Sequence, residues 1–172
     1  MKIFIKQFVF LIFVAFLIGC DGFPDDIPHK SDSSMIENFH NNKAEFEKLL
    51  LMIQEDEKKV GDRVFRIDKD WFKPKNLDEL GISDERIGEY RKVFKQLDIR
   101  RGFYAYGKGD FYSFMSSAQG LAVSGSSKGY AWSKEPPKSL TESDLDEYHS
   151  QQNANDYIFR HIEGNWYLER DR

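Results

Sequence analysis

Cysteine is almost missing from this chain. Cys20 is the single one in 172 residues, so no intramolecular disulfide can form and the fold must be held by burial alone. A membrane-crossing run is missing too: the apolar stretch from Phe8 to Ile18 (FVFLIFVAFLI) has eleven residues, where a spanning helix needs ~20. There is no surplus of positive charge. The formal charge is −4, and neutralising phosphates requires a basic surface, so no nucleic-acid partner is expected. The four histidines, His29, His40, His149 and His161, lack the short spacing of a zinc motif such as HExxH. No metal and no cofactor is expected. No internal repeat is long enough for a solenoid.

What is present begins at the N-terminus. Lys2 and Lys6 give a short positive start, no acidic residue precedes Asp21, and the apolar run follows without a polar break. Length and flanks fit the h-region of an export signal. At its end, Leu17-Ile18-Gly19-Cys20 resembles the lipobox of bacterial lipoproteins. A thiolate is a good nucleophile for taking on a diacylglyceryl group, and the small Gly19 leaves the scissile bond accessible. The resemblance covers about the first twenty residues. It implies cleavage before Cys20, three acyl chains on that residue, and a membrane partner reached through them. One acyl chain alone gives marginal attachment; three make release negligible. Among Gram-negative lipoproteins, an aspartate directly after the cysteine often marks retention at the inner membrane, which Asp21 would satisfy.

Residues 1–19 are thus expected to be a lipoprotein signal peptide, residues 20–33 a lipidated N-terminus and flexible tether, and residues 34–172 a single domain. Losing Lys2 and Lys6 takes the net charge to about −6. The tether sequence DGFPDDIPHKSDSS is rich in aspartate, serine and proline, a poor composition for a core.

Helical periodicity comes next. Ser34 to Glu37 fits a capping box, and Ile36, Phe39, Phe46, Leu49, Leu50 and Ile53 fall on one stripe of a helix that Gly61 would end. Arg63 to Ile67 reads as a strand. Ser83 caps a second helix with Ile87, Tyr90, Phe94 and Leu97 on its apolar face. From Gly102 the period becomes two. GFYAYG, DFYSFMSS, QGLAVSG and GYAWS read as short strands, with turns at Gly107 to Asp110 and Gly125 to Lys128. Pro136-Pro137 breaks the pattern, the acidic stretch Leu140 to Tyr148 reads as a short helix, and DYIFRHI and NWYLER form a hairpin around Glu163-Gly164. The expected fold is α+β, with N-terminal helices packed on an antiparallel β-meander.

Candidate sites are sparse. Ser124 to Gly129 lacks the spacing and the following helix of a phosphate-binding loop, and Ser124 or Ser126 with Lys128 makes a Ser–Lys pair without an orienting third group. Asp68 with Asp70, and Glu142 with Asp144 and Asp146, read as solvated acidic faces. The expected binding surface is instead the aromatic strand region, with Lys128, Tyr130, Trp132, Tyr104 and Tyr106 as its residues. Tyr and Trp offer large rigid area with a polar tip. Tyr112, Trp166 and Tyr167 belong to the same aromatic excess. The chain therefore reads as a lipid-anchored, non-enzymatic envelope protein on the extracytoplasmic side, with an envelope protein or polymer as its partner. The stretch SGSSKGY resembles the serine- and lysine-bearing loops of lysozyme-inhibitor lipoproteins, which implies an inhibitor or immunity-type role. A periplasmic hydrolase acting on an envelope polymer is the other alternative.

Overall fold

The computed structural model describes residues 27–106, 109–120, 125–147 and 157–171. The signal segment, Cys20, His149 and the side chain of Tyr106 lie outside them. Three α-helices, α1 (Asp32–Asn41), α2 (Lys43–Val60) and α3 (Asp84–Leu97), cover one face of a seven-stranded sheet. The strands are β1 (Phe65–Ile67), β2 (Phe72–Lys73), β3 (Phe103–Tyr106), β4 (Phe111–Gln119), β5 (Ser126–Ser133), β6 (Ile158–Glu163) and β7 (Trp166–Asp171). The fold is α+β, with every strand pair antiparallel.

The expected first helix is two. Asn42 leaves helical geometry at φ −123°, ψ 20°, and its side-chain amide donates to the Asn38 carbonyl at 3.0 Å. This local bond competes with helix continuation. The cap is Ser31 rather than Ser34, its hydroxyl accepting the Ser34 N–H. The stripe itself is as expected: Phe39, Phe46, Leu49, Leu50 and Ile53 are buried, and Ile36 packs partly against them. Ser83 caps α3 by accepting the Arg86 N–H, and Ile87, Tyr90, Phe94 and Leu97 are buried.

The sheet order is β2-β1-β3-β4-β5-β7-β6. A pure meander was expected, but the last hairpin is reversed, so β7 lies beside β5 and β6 is at the edge. The pairing register shows the consequence: Tyr130 sits opposite Leu168 and Trp132 opposite Trp166, which puts Trp166 and Leu168 into the main core. Most of QGLAVSG cannot be placed among the described residues. Gln119 ends β4, residues 121–124 lie outside the described residues, and Ser126 to Lys128, expected as a turn, already belong to β5. The acidic stretch contains a turn at residues 145–147 and no helix among its described residues. Leu140 instead bridges Phe159 in parallel.

Register assigns the two faces. Ile67, Phe103, Phe114, Tyr130 and Leu168 form one cross-strand row, and all five are buried in the main core under the helices. Phe46 meets Tyr130 at 4.7 Å between ring centres, and Phe39 meets Trp166 at 5.5 Å. Arg66, Tyr104, Ser113, Ala131, Tyr167 and His161 form the neighbouring row on the opposite face. At the approach to β3 a side chain on Gly102 would meet the Ile67 carbonyl at 1.9 Å, and its φ of +77° also requires glycine.

Residues 27–33 do not behave as a free tether. The Ile27 N–H donates to the Ala118 carbonyl at 2.8 Å. The His29 ring bridges the hydroxyls of Ser117 and Ser126, each at 2.7 Å. Asp32 is wholly buried. The docked part of the chain thus starts by Ile27, seven residues after Cys20.

Candidate functional site: a buried charge clasp and a basic cleft

Lys128 is not on a surface. It faces the helices, two positions from Tyr130 on the same strand, and its side chain is 0% exposed. Its ammonium donates to Asp146 Oδ1 at 2.6 Å and to the Lys30 carbonyl at 2.8 Å, and it forms an ion pair with Asp32 Oδ1 at 2.7 Å. Asp32 Oδ2 accepts the Leu145 N–H at 2.9 Å and Arg160 Nη1 at 2.8 Å. Arg170 donates to the Leu145 carbonyl at 2.6 Å. Burial opposes the charge on Asp32, but the Leu145 N–H, Lys128 and Arg160 together outweigh it and hold the carboxyl below its usual range.

This clasp joins four stretches far apart in sequence. Its three carboxylates, Asp32, Asp144 and Asp146, come close enough to grip one cation. The cation between them is the chain's own: Lys128 bonds Asp32 and Asp146, and Arg160 lies 3.6 Å from Asp144. Asp144 and Asp146 are therefore not the solvated acidic face expected from their spacing. Lys128, with its ammonium saturated, is a structural cation rather than a binding residue.

Two further residues of the expected aromatic surface are also turned inward. Tyr130 is 1% exposed; its hydroxyl donates to the Met35 carbonyl and accepts from the Asn38 amide, both at 3.0 Å. Burial pushes its pKa up to about 12, with the Asn38 donation acting the other way. Trp132 packs against the main core with its ring 5.7 Å from Tyr112. Tyr112 and Trp166 are buried there as well. The alternation that predicted the strands was right, but the face carrying Lys128, Tyr130 and Trp132 is the one under the helices. Tyr104 is on the opposite face, where the Arg66 guanidinium stacks 5.5 Å from its ring and 4.3 Å from that of Trp71. The backbone of Tyr106 pairs with Phe111.

The opposite face holds one unusual carboxyl. Glu169 is 5% exposed and sits across from Gly129, where a side chain would approach the Phe114 carbonyl to 2.2 Å. Ser113 donates a hydrogen bond to Glu169 Oε1, while Oε2 has no hydrogen-bond partner among the described residues. Burial pushes the carboxyl up to about 8, against the lowering effect of Ser113.

A cleft of about 470 Å³ lies at the C-terminal end of α3. It is lined by apolar Phe94, Ile99 and Ile27 and by Lys69, Arg91, Lys95, Arg100 and Arg101, with Asp98 as the one carboxylate. Arg91 and Lys95 are four residues apart, so one side of the helix presents both. Asp98 caps α3 in the left-handed region and is occupied by Lys30 and Arg100. Its charge is thus already answered, which leaves the cleft positive in a chain of net charge −4. Sequence reasoning missed this place because Lys69, α3 and Arg100-Arg101 are joined only by the fold. The run Asp98-Ile99-Arg100-Arg101 was its one local trace.

His29, His40 and His161 lie apart. His40 is 3.7 Å from Glu163, and His161 Nε2 lies 2.9 Å from the Gly164 carbonyl. No helix among the described residues is long and apolar enough to cross a membrane. Comparison with protein-family models, with curated proteins and with solved structures finds no match in any of the three.

Proposed function

We propose that the chain is an exported lipoprotein of the bacterial envelope, held on the extracytoplasmic side of a membrane by lipid on Cys20, and that it acts by binding rather than catalysis. The observation that carries this reading is the lone cysteine at the end of an eleven-residue apolar run, preceded by Leu17-Ile18-Gly19. Asp21 favours the inner membrane if the source is Gram-negative. A non-catalytic role draws support from how the reactive groups are engaged: Lys128 is saturated by acceptors, Ser126 bonds His29, and Ser113 bonds Glu169. The basic cleft, rather than the aromatic strands, is the binding place in this reading. Cleft size and an apolar floor with convergent charged groups are what small-ligand sites require.

The test is metabolic labelling with a palmitate analogue. Wild-type chain should take up label and sediment with membranes, while Cys20→Ala should lose all label and accumulate as unprocessed precursor. Label retained by Cys20→Ala would overturn the anchor.

A further inference from the structure

We propose that the basic cleft binds the anionic headgroup of a phospholipid in the membrane that holds the anchor, so that the domain is oriented on that surface instead of swinging from its lipid. This rests on the anchor reading given above and adds a partner to it.

Three observations lead here. The first is charge. Five cationic side chains line one cleft beside a single carboxylate, Asp98, which pairs with Arg100 and with Lys30 from outside the lining, while Lys69 pairs with Asp70. Arg91 and Lys95 make no ion pair among the described residues, so the helix presents two cations that no described residue uses. The second is shape. The floor of Phe94, Ile99 and Ile27 is apolar, which a free inorganic anion does not exploit but the glycerol backbone and upper acyl carbons of a phospholipid do. Guanidinium groups add bidentate bonding to phosphate oxygens.

The third is position. Ile27 lines the cleft and is fixed to β4 through its N–H. It lies seven positions after Cys20, a reach of at most ~25 Å when fully extended. A lipid-anchored Cys20 therefore keeps the cleft close to the bilayer. Anionic surfaces attract basic groups by about 1 kcal/mol per Lys or Arg within a Debye length. Tethering also raises the local headgroup concentration, so weak intrinsic affinity suffices. The clasp supports this arrangement from behind: Lys30 reaches Asp98 with its side chain and Lys128 with its carbonyl. Residues 27–32 are thereby held in one path from the membrane side to α1.

The experiment uses the full chain reconstituted in bilayer nanodiscs, observed by the amide resonances of Phe94 to Arg101. Replacing one third of a phosphatidylcholine bilayer by phosphatidylglycerol should shift these signals and saturate. In Arg91→Ala/Lys95→Ala, both exposed substitutions that leave the core untouched, the phosphatidylglycerol fraction giving half the shift should rise about tenfold or more. Equal shifts in both bilayers, or an unchanged response of the double variant, would overturn the proposal. So would full reproduction of the shifts by inorganic phosphate added to phosphatidylcholine nanodiscs, which would make the cleft a free-anion site. Palmitate labelling reads the anchor separately. Labelled chain with no lipid-dependent shift removes the headgroup site alone, and a shift with unlabelled chain removes the anchor alone.

Discussion

Asp32 and Asp56 are both aspartates with wholly buried side chains, yet they hold the helices by different means. Asp56, on α2, works with neighbours. Lys59 is one turn away at 2.8 Å, and Arg86 and Tyr90, on α3, reach it at 2.7 and 2.9 Å. Asp32, at the start of α1, works with Lys128, Leu145 and Arg160, about a hundred residues on in the chain. The charged partners of Asp56 both reach water, with Lys59 39% and Arg86 23% exposed, whereas of the two cations on Asp32 only Arg160 does, at 29%, and Lys128 is 0% exposed. An ion pair with one foot in solvent is replaceable. One with both partners sealed is an obligation, because either charge left alone has nowhere to go.

The sharpest way to break this contrast is Lys128→Met. It fits a similar volume but leaves Asp32 and Asp146 facing each other without the ammonium. Removing one partner of a buried ion pair costs about 3–5 kcal/mol, and Asp32 would keep only Arg160 and the Leu145 N–H, so a large drop in the urea midpoint is expected. Adding Asp32→Asn should restore part of the loss by removing the stranded charge. A single-variant loss under about 1 kcal/mol would mean that water reaches the clasp and that Lys128 is less sealed than its burial implies.

The two aspartates also show what a sequence can reveal. Strand alternation, helix stripes and the caps are local patterns, and the stripe from Phe39 to Ile53 and the cap at Ser83 were legible for that reason. Lys59, three residues after Asp56, is the neighbour that helix spacing alone dictates. Which face of β5 turns inward was not. Tyr130 and Lys128 share that face, and the same period of two fits a core or a binding surface. The reversed last hairpin was hidden too, since a Glu163-Gly164 turn fixes the hairpin but not which of its strands joins β5. The clasp and the cleft depend on contacts between distant segments and left almost no local trace.

Glu169 extends the comparison to a buried carboxyl with no cation. Its pKa is raised to about 8 from a free value of 4.5, so between those two pH values the folded chain binds a proton that the unfolded chain has released. Stability from this group is therefore full below about pH 4.5 and declines as pH rises to about 8. Glu169→Gln keeps an acceptor for Ser113 and cannot ionise. Unfolding measured from pH 5 to 9 should show the alkaline decline in wild type flattened in this variant, a difference of a few kcal/mol at the upper end. Parallel curves would place a counter-charge or water beside Glu169.

Asp56→Asn is the mildest of these changes, and its mildness is the point of comparison. Burial opposes the charge of Asp56, but Lys59, Arg86 and Tyr90 outweigh that and hold its carboxyl below the usual 3.8. The stability this contributes is present above about pH 4 and is lost as the pH falls through the lowered folded value. The amide can still accept from Tyr90, Arg86 keeps Glu55 at 3.1 Å and Glu89 at 3.2 Å, and Lys59 can turn to water. The expected loss is about 2 kcal/mol at pH 7, less than for Lys128→Met, with a shallower decline below pH 4 than wild type. A double-mutant cycle with Lys59→Ala should return a coupling under about 1 kcal/mol, as for a pair with one exposed partner. A coupling several times larger would place the α2 pair in the same sealed class as the clasp and erase the distinction between the two aspartates.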